Sequence, residues 1–319
     1  MAKILVIGGG AMGSAFTIPC LDNKNNVTIT EPYSKQFINN LKSKNKFHSV
    51  LKIKLPKKLK FRIFSKELFK EKFNLIVIAL SLPGINFISK ELKNIKNKTP
   101  ILILTKGLKY DKKRNKILTI SEQIKINTKN KNISVLKGPC LAKELATKNQ
   151  TKVIIANKNI NIAKKIGKLI STNYYLVEYS TDIIGVEVCS AIKNIYAMII
   201  GAGQSLNTSS SLFQGSINEM KYLTKYFKGK ETSTLGLAGV GDLYVSAAGG
   251  RNSKMGSYLG KGYTFKNAKK RFMPNDTVEG EQLVREIAPY IMRKINKKKI
   301  PLMISLFKAI LNNRKLTVT

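Results

Sequence analysis

The most constraining feature of this chain is the run Lys3-Ile4-Leu5-Val6-Ile7, which passes without a break into Gly8-Gly9-Gly10-Ala11-Met12-Gly13. A short continuous stretch of β-branched and aliphatic residues predicts a buried strand, and the G-x-G-x-x-G behind it predicts a sharp turn into a helix. Glycine is demanded there for three reasons: the chain must reverse direction, a pyrophosphate must approach the backbone, and the new helix must pack tightly on the strand. The first amides of that helix point at the phosphates with the positive end of its dipole behind them. Gly8, Gly10, Ala11, Met12 and Gly13 are therefore expected to lie against a dinucleotide. A second strand, Val27-Thr28-Ile29-Thr30, ends at Glu31, 18 residues past Gly13. That is near the spacing of the acid that binds the adenosine ribose hydroxyls, so NAD is expected, with Lys35 close enough to leave NADP open.

The first half of the chain continues in the same grammar. Strand-like runs at Leu75 to Leu80, Pro100 to Thr105, Ile133 to Leu136, Val153 to Ala156 and Tyr175 to Tyr179 alternate with amphipathic stretches, which predicts a doubly wound, mainly parallel sheet. Leu41 to Arg62 is rich in Lys and lacks a clean period, and reads as loops with one short strand or helix. After about Asp182 the periods become helical: Ile183 to Gln204, Ser209 to Lys228, Asp242 to Ala247, Thr264 to Arg271, Glu281 to Ile295 and Pro301 to Asn312. The expected fold class is thus a Rossmann-like α/β N-terminal domain, residues 1–182, with an all-α C-terminal domain, residues 183–319, for substrate binding and catalysis.

A formal net charge of +39 would commonly suggest nucleic acid or an anionic membrane. Here the lysines are spread along almost the whole chain and accompany an excess of Asn and Ile, with no nucleic-acid-binding module in sight. No specific nucleic-acid partner is expected, although the positive field would draw in anions. No apolar run is long and uncharged enough to predict membrane insertion. Cys20, Cys140 and Cys189 have neither disulfide nor zinc spacing, and no cleavable leader precedes the first strand, so a cytoplasmic location and no metal are expected.

A nicotinamide enzyme acting on a carbonyl needs a group that gives a proton to the developing alkoxide. The single histidine, His48, falls in the irregular lysine-rich stretch and reads as a surface residue, so the proton donor must be sought elsewhere. In Ile183 to Gly201 nearly every position is apolar, while Glu187, Ser190, Lys193, Asn194, Ala197 and Gly201 recur along one narrow helical stripe. A lysine on such a helix is expected to line a cleft.

Lys106-Gly107, Gly138-Pro139-Cys140-Leu141-Ala142-Lys143-Glu144, Gly185-Val186-Glu187 with Ala191-Ile192-Lys193-Asn194, Gly236-Leu237-Ala238-Gly239-Val240-Gly241-Asp242-Leu243, Arg251-Asn252 and Thr277-Val278-Glu279-Gly280 occur in that order. Together they resemble the NAD(P)-dependent glycerol-3-phosphate dehydrogenase family over most of the chain. The resemblance implies a reversible reduction of dihydroxyacetone phosphate by NAD(P)H that feeds glycerophospholipid synthesis, in a homodimer acting on a small phosphorylated substrate. It implies Lys193 as proton donor and acceptor, with Lys106 and Asp242 beside it as catalytic residues. Lys106, Asn194, Ser246, Arg251 and Asn252 would bind substrate. Glu31, Lys106, Gly138, Cys140, Ala142, Arg251, Thr277 and Glu279 would join the glycine turn in binding the cofactor. Four positions depart from the family pattern: Ala11-Met12 replaces Ser-Trp, Cys140 replaces a serine, and Gly250 stands where a serine often precedes Arg-Asn. Competing readings are a ketopantoate reductase or 3-hydroxyacyl-CoA dehydrogenase, the latter wanting a histidine in the helical half, and a dinucleotide-binding regulator or basic nucleic-acid-associated protein without enzymatic activity.

Overall fold

In a computed structural model, residues 1–43, 45–94, 99–128, 130 and 132–317 are described. The chain divides into two compact units, one of Met1–Lys106 with Ile120–Ile183 and one of Gly107–Thr119 with Ile184–Thr319. In chain order the strands are β1 (Lys3–Ile7), β2 (Asn26–Thr30), β3 (Phe47–His48), β4 (Ile53–Lys54), β5 (Lys60–Phe61), β6 (Leu75–Ile78), β7 (Ile101–Ile103), β8 (Leu108–Asp111), β9 (Lys116–Thr119), β10 (Ile133–Lys137), β11 (Thr151–Ala156) and β12 (Tyr175–Ser180).

The first unit is built on an eight-stranded sheet in the order β12-β11-β10-β7-β6-β1-β2-β5. Every pairing in it is parallel except β10 with β11. Strand β1 sits between β2 and β6, and its Ile4, Leu5, Val6 and Ile7 are completely buried. Four consecutive inward residues, instead of an alternation, are what a parallel strand covered on both faces requires. Each such side chain contributes roughly 1.5–3 kcal/mol on burial, so the run that opens the sequence is a fully covered interior strand of the sheet. The lysine-rich stretch before Arg62 holds more structure than its composition suggests: β3 and β4 pair as a small antiparallel hairpin, and β5 adds an edge strand to the main sheet. Leu51, Leu55 and Leu59 bury themselves in the core of this unit and pin the stretch down.

The second unit is mostly helical. Its central helix, Ile183–Gly201, buries Val188, Ile192, Ile195, Tyr196 and Ile199 among the surrounding helices, and is the one described helix long and apolar enough to span a bilayer, yet 83% of its apolar window is buried in the core. Helices Leu206–Tyr226, Asp242–Gly249, Arg251–Gly260, Glu279–Lys294 and Pro301–Leu311 surround it. The buried Glu219 carboxylate ties three of these together, accepting from Tyr196 Oη at 3.0 Å and from the first amides of the last helix, Leu302 N at 2.7 Å and Met303 N at 3.1 Å. Burial pushes this carboxyl above the usual range, and those donors partly offset the push.

The expected C-terminal domain, residues 183–319, is helical throughout its described elements, and the compact unit that contains it also takes in β8 and β9, an antiparallel hairpin with Leu108 and Ile117 in the core and Glu286 accepting from Tyr110 N at 2.9 Å. A hairpin whose turn carries Lys112-Lys113-Arg114 offers too short an apolar period to be read as strand. Arg251 and Asn252, which fall outside the helices expected from the sequence, open the helix Arg251–Gly260. That helix crosses the central one so tightly that a Cβ on Gly256 would lie 2.0 Å from Met198 O. Only glycine permits so close a backbone approach.

Candidate active site

In the first unit the three motif glycines do three different jobs. Gly8 has φ of +119°, and a Cβ there would lie 2.4 Å from Ala79 O, so both the turn and the neighbouring strand exclude a side chain. A Cβ on Gly13 would lie 2.0 Å from Gly8 O, which shows how closely the new helix is pressed onto the turn. Around Gly10, by contrast, a Cβ would meet nothing within 4 Å. Gly10 is exposed and serves as N-cap of helix Ala11–Asp22, where no side chain caps the first amides. Those amides, with the open space over Gly10, fit a pyrophosphate.

Glu31 follows β2 and turns back onto the same loop. Its carboxylate accepts from Gly9 N at 2.8 Å and Tyr33 N at 3.0 Å. The acid expected to read the ribose is therefore also fastened to the glycine turn, with lone pairs to spare for hydroxyl donors. The Gly9 carbonyl is gripped from the other side by Ser14 Oγ at 2.8 Å and His48 Nε2 at 3.2 Å. His48 is 1% exposed, which overturns its reading as a surface residue. The β3–β4 hairpin buries it against the loop, a long-range contact that no local pattern announces.

The other first-unit candidates lie at strand ends. Half-buried Lys106 follows β7, and the carbonyl just before it, Thr105 O, accepts from Lys137 Nζ at 2.6 Å. Lys137 is buried and also donates to Ile103 O at 3.1 Å. It holds the strand that delivers Lys106, a part not assigned to it from the sequence, where it reads as one lysine among many. Gly138 follows β10 with φ of +125°, Cys140 is half-buried beyond it, and Ala142 opens a short helix.

In the second unit the central helix presents Lys193 and Asn194 on the predicted stripe. Lys193 Nζ donates to Asp242 Oδ1 at 2.7 Å, with the two side chains only 7% and 3% exposed, and also to Ser246 Oγ. Asp242 reaches this point because the glycine-rich Leu237–Gly241 forms a π-turn that hands directly into helix Asp242–Gly249. Such turns are often found at functional sites. Ser246 lies one helical turn further on. Ser190, one turn before Lys193, donates to the other oxygen of the carboxylate, Oδ2, at 3.4 Å. It was on the polar stripe but carried no assigned part.

A second chain of contacts holds Asn194. Asn252 donates through Nδ2 to Asn194 Oδ1 at 3.2 Å and accepts from Gly280 N at 2.9 Å. The residues beside these anchors, Arg251 and Glu279, form an ion pair with each other, half exposed, and Thr277 lies exposed just before it. Structure thus brings together Lys193, Asp242 and Ser246 as one cluster and Asn194, Asn252, Arg251 and Glu279 as its neighbour. A buried ammonium–carboxylate pair beside oriented amides and a guanidinium can move a proton at an oxygen and hold an anion.

Residues 3–163 match the family described as NAD-dependent glycerol-3-phosphate dehydrogenase N-terminus, and residues 182–318 match its C-terminus. An NADP(+)-dependent glycerol-3-phosphate dehydrogenase of Archaeoglobus fulgidus is 30% identical over 277 residues, covering 83% of this chain and 82% of the relative. A glycerol-3-phosphate dehydrogenase [NAD(P)+] of Fusobacterium nucleatum is 31% identical over 289 residues, covering 88% and 84%. The crystal structure of glycerol-3-phosphate dehydrogenase from Coxiella burnetii superposes with a TM-score of 0.85 at 23% identity, covering 98% of this chain and 96% of that one, and shares its fold. With both halves matched in order, the chain belongs to the NAD-dependent glycerol-3-phosphate dehydrogenase family.

Proposed function

We propose that this chain reversibly reduces dihydroxyacetone phosphate to sn-glycerol 3-phosphate with NAD(P)H, NADH being favoured over NADPH, as a cytoplasmic homodimer whose product feeds glycerophospholipid synthesis. The observation that carries the chemistry is the buried Lys193–Asp242 pair. When bound, the cofactor supplies the hydride that adds to the carbonyl carbon. Lys193 Nζ gives its proton to the carbonyl oxygen and is reprotonated from water before the next turnover; in the oxidative direction the neutral amine takes the hydroxyl proton. Asp242 fixes the ammonium through its 2.7 Å contact, and Ser246 shares it. Leaving either member of such a pair alone in the interior costs about 3–5 kcal/mol, so the two must be kept together.

Asn194, its amide oriented by Asn252, and Lys106 hold the substrate oxygens. Arg251 takes the phosphate with the planar donor fork that suits its oxygens, and the ion pair with Glu279 keeps the guanidinium waiting in place. Gly8, Gly10, Ala11, Met12 and Gly13 hold the pyrophosphate, with Gly138, Cys140, Ala142, Thr277 and Glu279 completing the cofactor contacts. The preference for NADH rests on Glu31, whose carboxylate would repel a 2′-phosphate and accept from the ribose hydroxyls.

The reading is tested by following reduced nicotinamide absorbance with purified protein, dihydroxyacetone phosphate and either NADH or NADPH, beside unphosphorylated dihydroxyacetone. Turnover is expected only with the phosphate ester and faster with NADH. A folded, NADH-binding protein that turns over none of these combinations would overturn it.

A further inference from the structure

The lone histidine of the chain is buried in the first unit and takes no part in the chemistry derived above. Its surroundings fix both ring nitrogens. Leu51 N donates to Nδ1 at 3.2 Å, so Nδ1 is an acceptor, and the proton of a neutral ring must sit on Nε2. That Nε2–H points at Gly9 O, 3.2 Å away, while the ring is held edge-on by Phe37 with centroids 5.7 Å apart. The same Phe37 ring would meet a Cβ on Gly9 at 2.6 Å, so histidine, phenylalanine and glycine peptide are packed as one block. Gly9 stands inside the motif, between the turning Gly8 and the open Gly10, and its N–H belongs to Glu31 while its carbonyl belongs to Ser14 and His48. A flexible glycine loop is costly to order on binding. Fixing the Gly9 peptide at both ends places the neighbouring amides before the ligand arrives.

We propose that His48 is a positioning residue for the dinucleotide site, locking the Gly9 peptide as the neutral Nε2–H tautomer and thereby setting the affinity for NADH, and that its protonation releases the lock. The proposal rests on the nicotinamide dinucleotide being the ligand of this loop. Protonation adds a hydrogen at Nδ1, where Leu51 N–H already points, so the imidazolium cannot keep both contacts. Burial pushes the ring's pKa below the usual histidine value, against a smaller upward pull from its hydrogen bond to Gly9. Of the charged groups on the elements packed here, Glu31 lies across the Gly9 peptide. Lys46, Lys52 and Lys54 are carried by the loop, turn and strand of the β3–β4 hairpin, and Lys35 and Lys42 by the helix that supplies Phe37. For a group whose folded pKa is depressed in the neutral direction, the ordered loop is fully present above the unfolded histidine value and is lost as pH falls through the folded one.

Two variants and one spectrum decide the matter. NADH affinity is read by nicotinamide fluorescence, apart from turnover. His48→Phe keeps the ring and its packing but removes both polar contacts, and is expected to raise Kd for NADH about tenfold, the scale of one buried hydrogen bond, with kcat at saturating NADH within about twofold of the parent. His48→Gln retains an N–H donor at the Nε2 reach and is expected to recover most of that affinity while losing the weakening of NADH binding at acid pH. In the parent protein the single histidine gives a single imidazole pair of nitrogen resonances, expected to report the Nε2–H tautomer and a titration displaced further toward acid when NADH is bound. The spectrum stands even where His48→Phe fails to fold. Unchanged NADH affinity in His48→Phe, retained acid sensitivity in His48→Gln, or a histidine that titrates identically with and without NADH would each overturn the proposal.

Discussion

At the glycine turn the atoms that would face a ligand are backbone, and what matters is the side chains that are missing: a Cβ on Gly8 or Gly13 would collide with a carbonyl, and around Gly10 there is open space. At Lys193 the working atoms are side chains, and its two partners lie 49 and 53 residues further along the chain. The first arrangement centres on residues 8–13, with Ala79, Glu31 and His48 closing on them, and depends on shape. The second is made by packing helices together and depends on a buried charge pair. Such a division has a consequence that can be tested: damage to one region should appear in cofactor affinity, damage to the other in turnover, with little crossing between them.

The sharpest separation comes from Lys193→Ala. Removing a general acid lowers rates by roughly a hundred- to ten-thousandfold, and a loss of about a thousandfold in kcat is expected with Kd for NADH within about twofold of the parent. The glycine turn shares no side chain with Lys193, so its fluorescence titration also shows that the protein is folded. A Lys193→Ala protein that retained a tenth of its turnover would remove this lysine from the chemistry. One that lost NADH binding in proportion would remove the division itself.

The difference between the regions also decides how much of each is legible in the sequence. The glycine turn, Glu31 and strand β1 are readable from spacing alone, because the pattern that marks them lies within a short stretch of the chain. Lys193 stands out on its helix as a polar group among apolar ones, but that Asp242 and Ser246 meet it is implied only by resemblance, since nothing in the intervening helices has a period that encodes the contact. His48, Lys137 and the β8–β9 hairpin escape notice for a related reason. His48 and the hairpin sit in stretches whose lysines suggest solvent, Lys137 ends a strand as one more lysine, and each is met by a partner far along the chain: Gly9 for His48, Thr105 for Lys137, Glu286 for the hairpin. The charge of +39 hides them further, because a lysine that does something looks like the many that do not.

From the other side, Gly13→Ala strikes the shape-dependent region. Its Cβ would lie 2.0 Å from Gly8 O, a backbone atom in a strained turn that has no rotamer to yield. Relief must come from shifting the helix off the strand, and overpacking of this kind costs about 1–3 kcal/mol. About a thirtyfold rise in Kd for NADH is expected, with kcat at saturating cofactor nearly intact. Should calorimetric or fluorescence titration return the parent value, the close packing of helix on turn would have no bearing on the ligand.

The smallest effect tests whether the second region has depth behind its charge pair. Ser190 is completely buried and donates to Asp242 Oδ2 at 3.4 Å, the long end of hydrogen bonding, while Lys193 takes Oδ1 at 2.7 Å. Its hydroxyl touches neither the proton that moves nor the atoms that receive it; it acts by limiting the swing of the carboxylate that holds the lysine. Ser190→Ala removes one oxygen from a packed helix with no large cavity, so about a threefold fall in kcat is expected, the low end of a hydrogen-bond contribution. Affinity for NADH should not move. If Ser190→Ala is as damaging as Lys193→Ala, the hydroxyl belongs to the reacting group itself. An unchanged kcat would instead mean that Asp242 is held in place without the Ser190 hydroxyl.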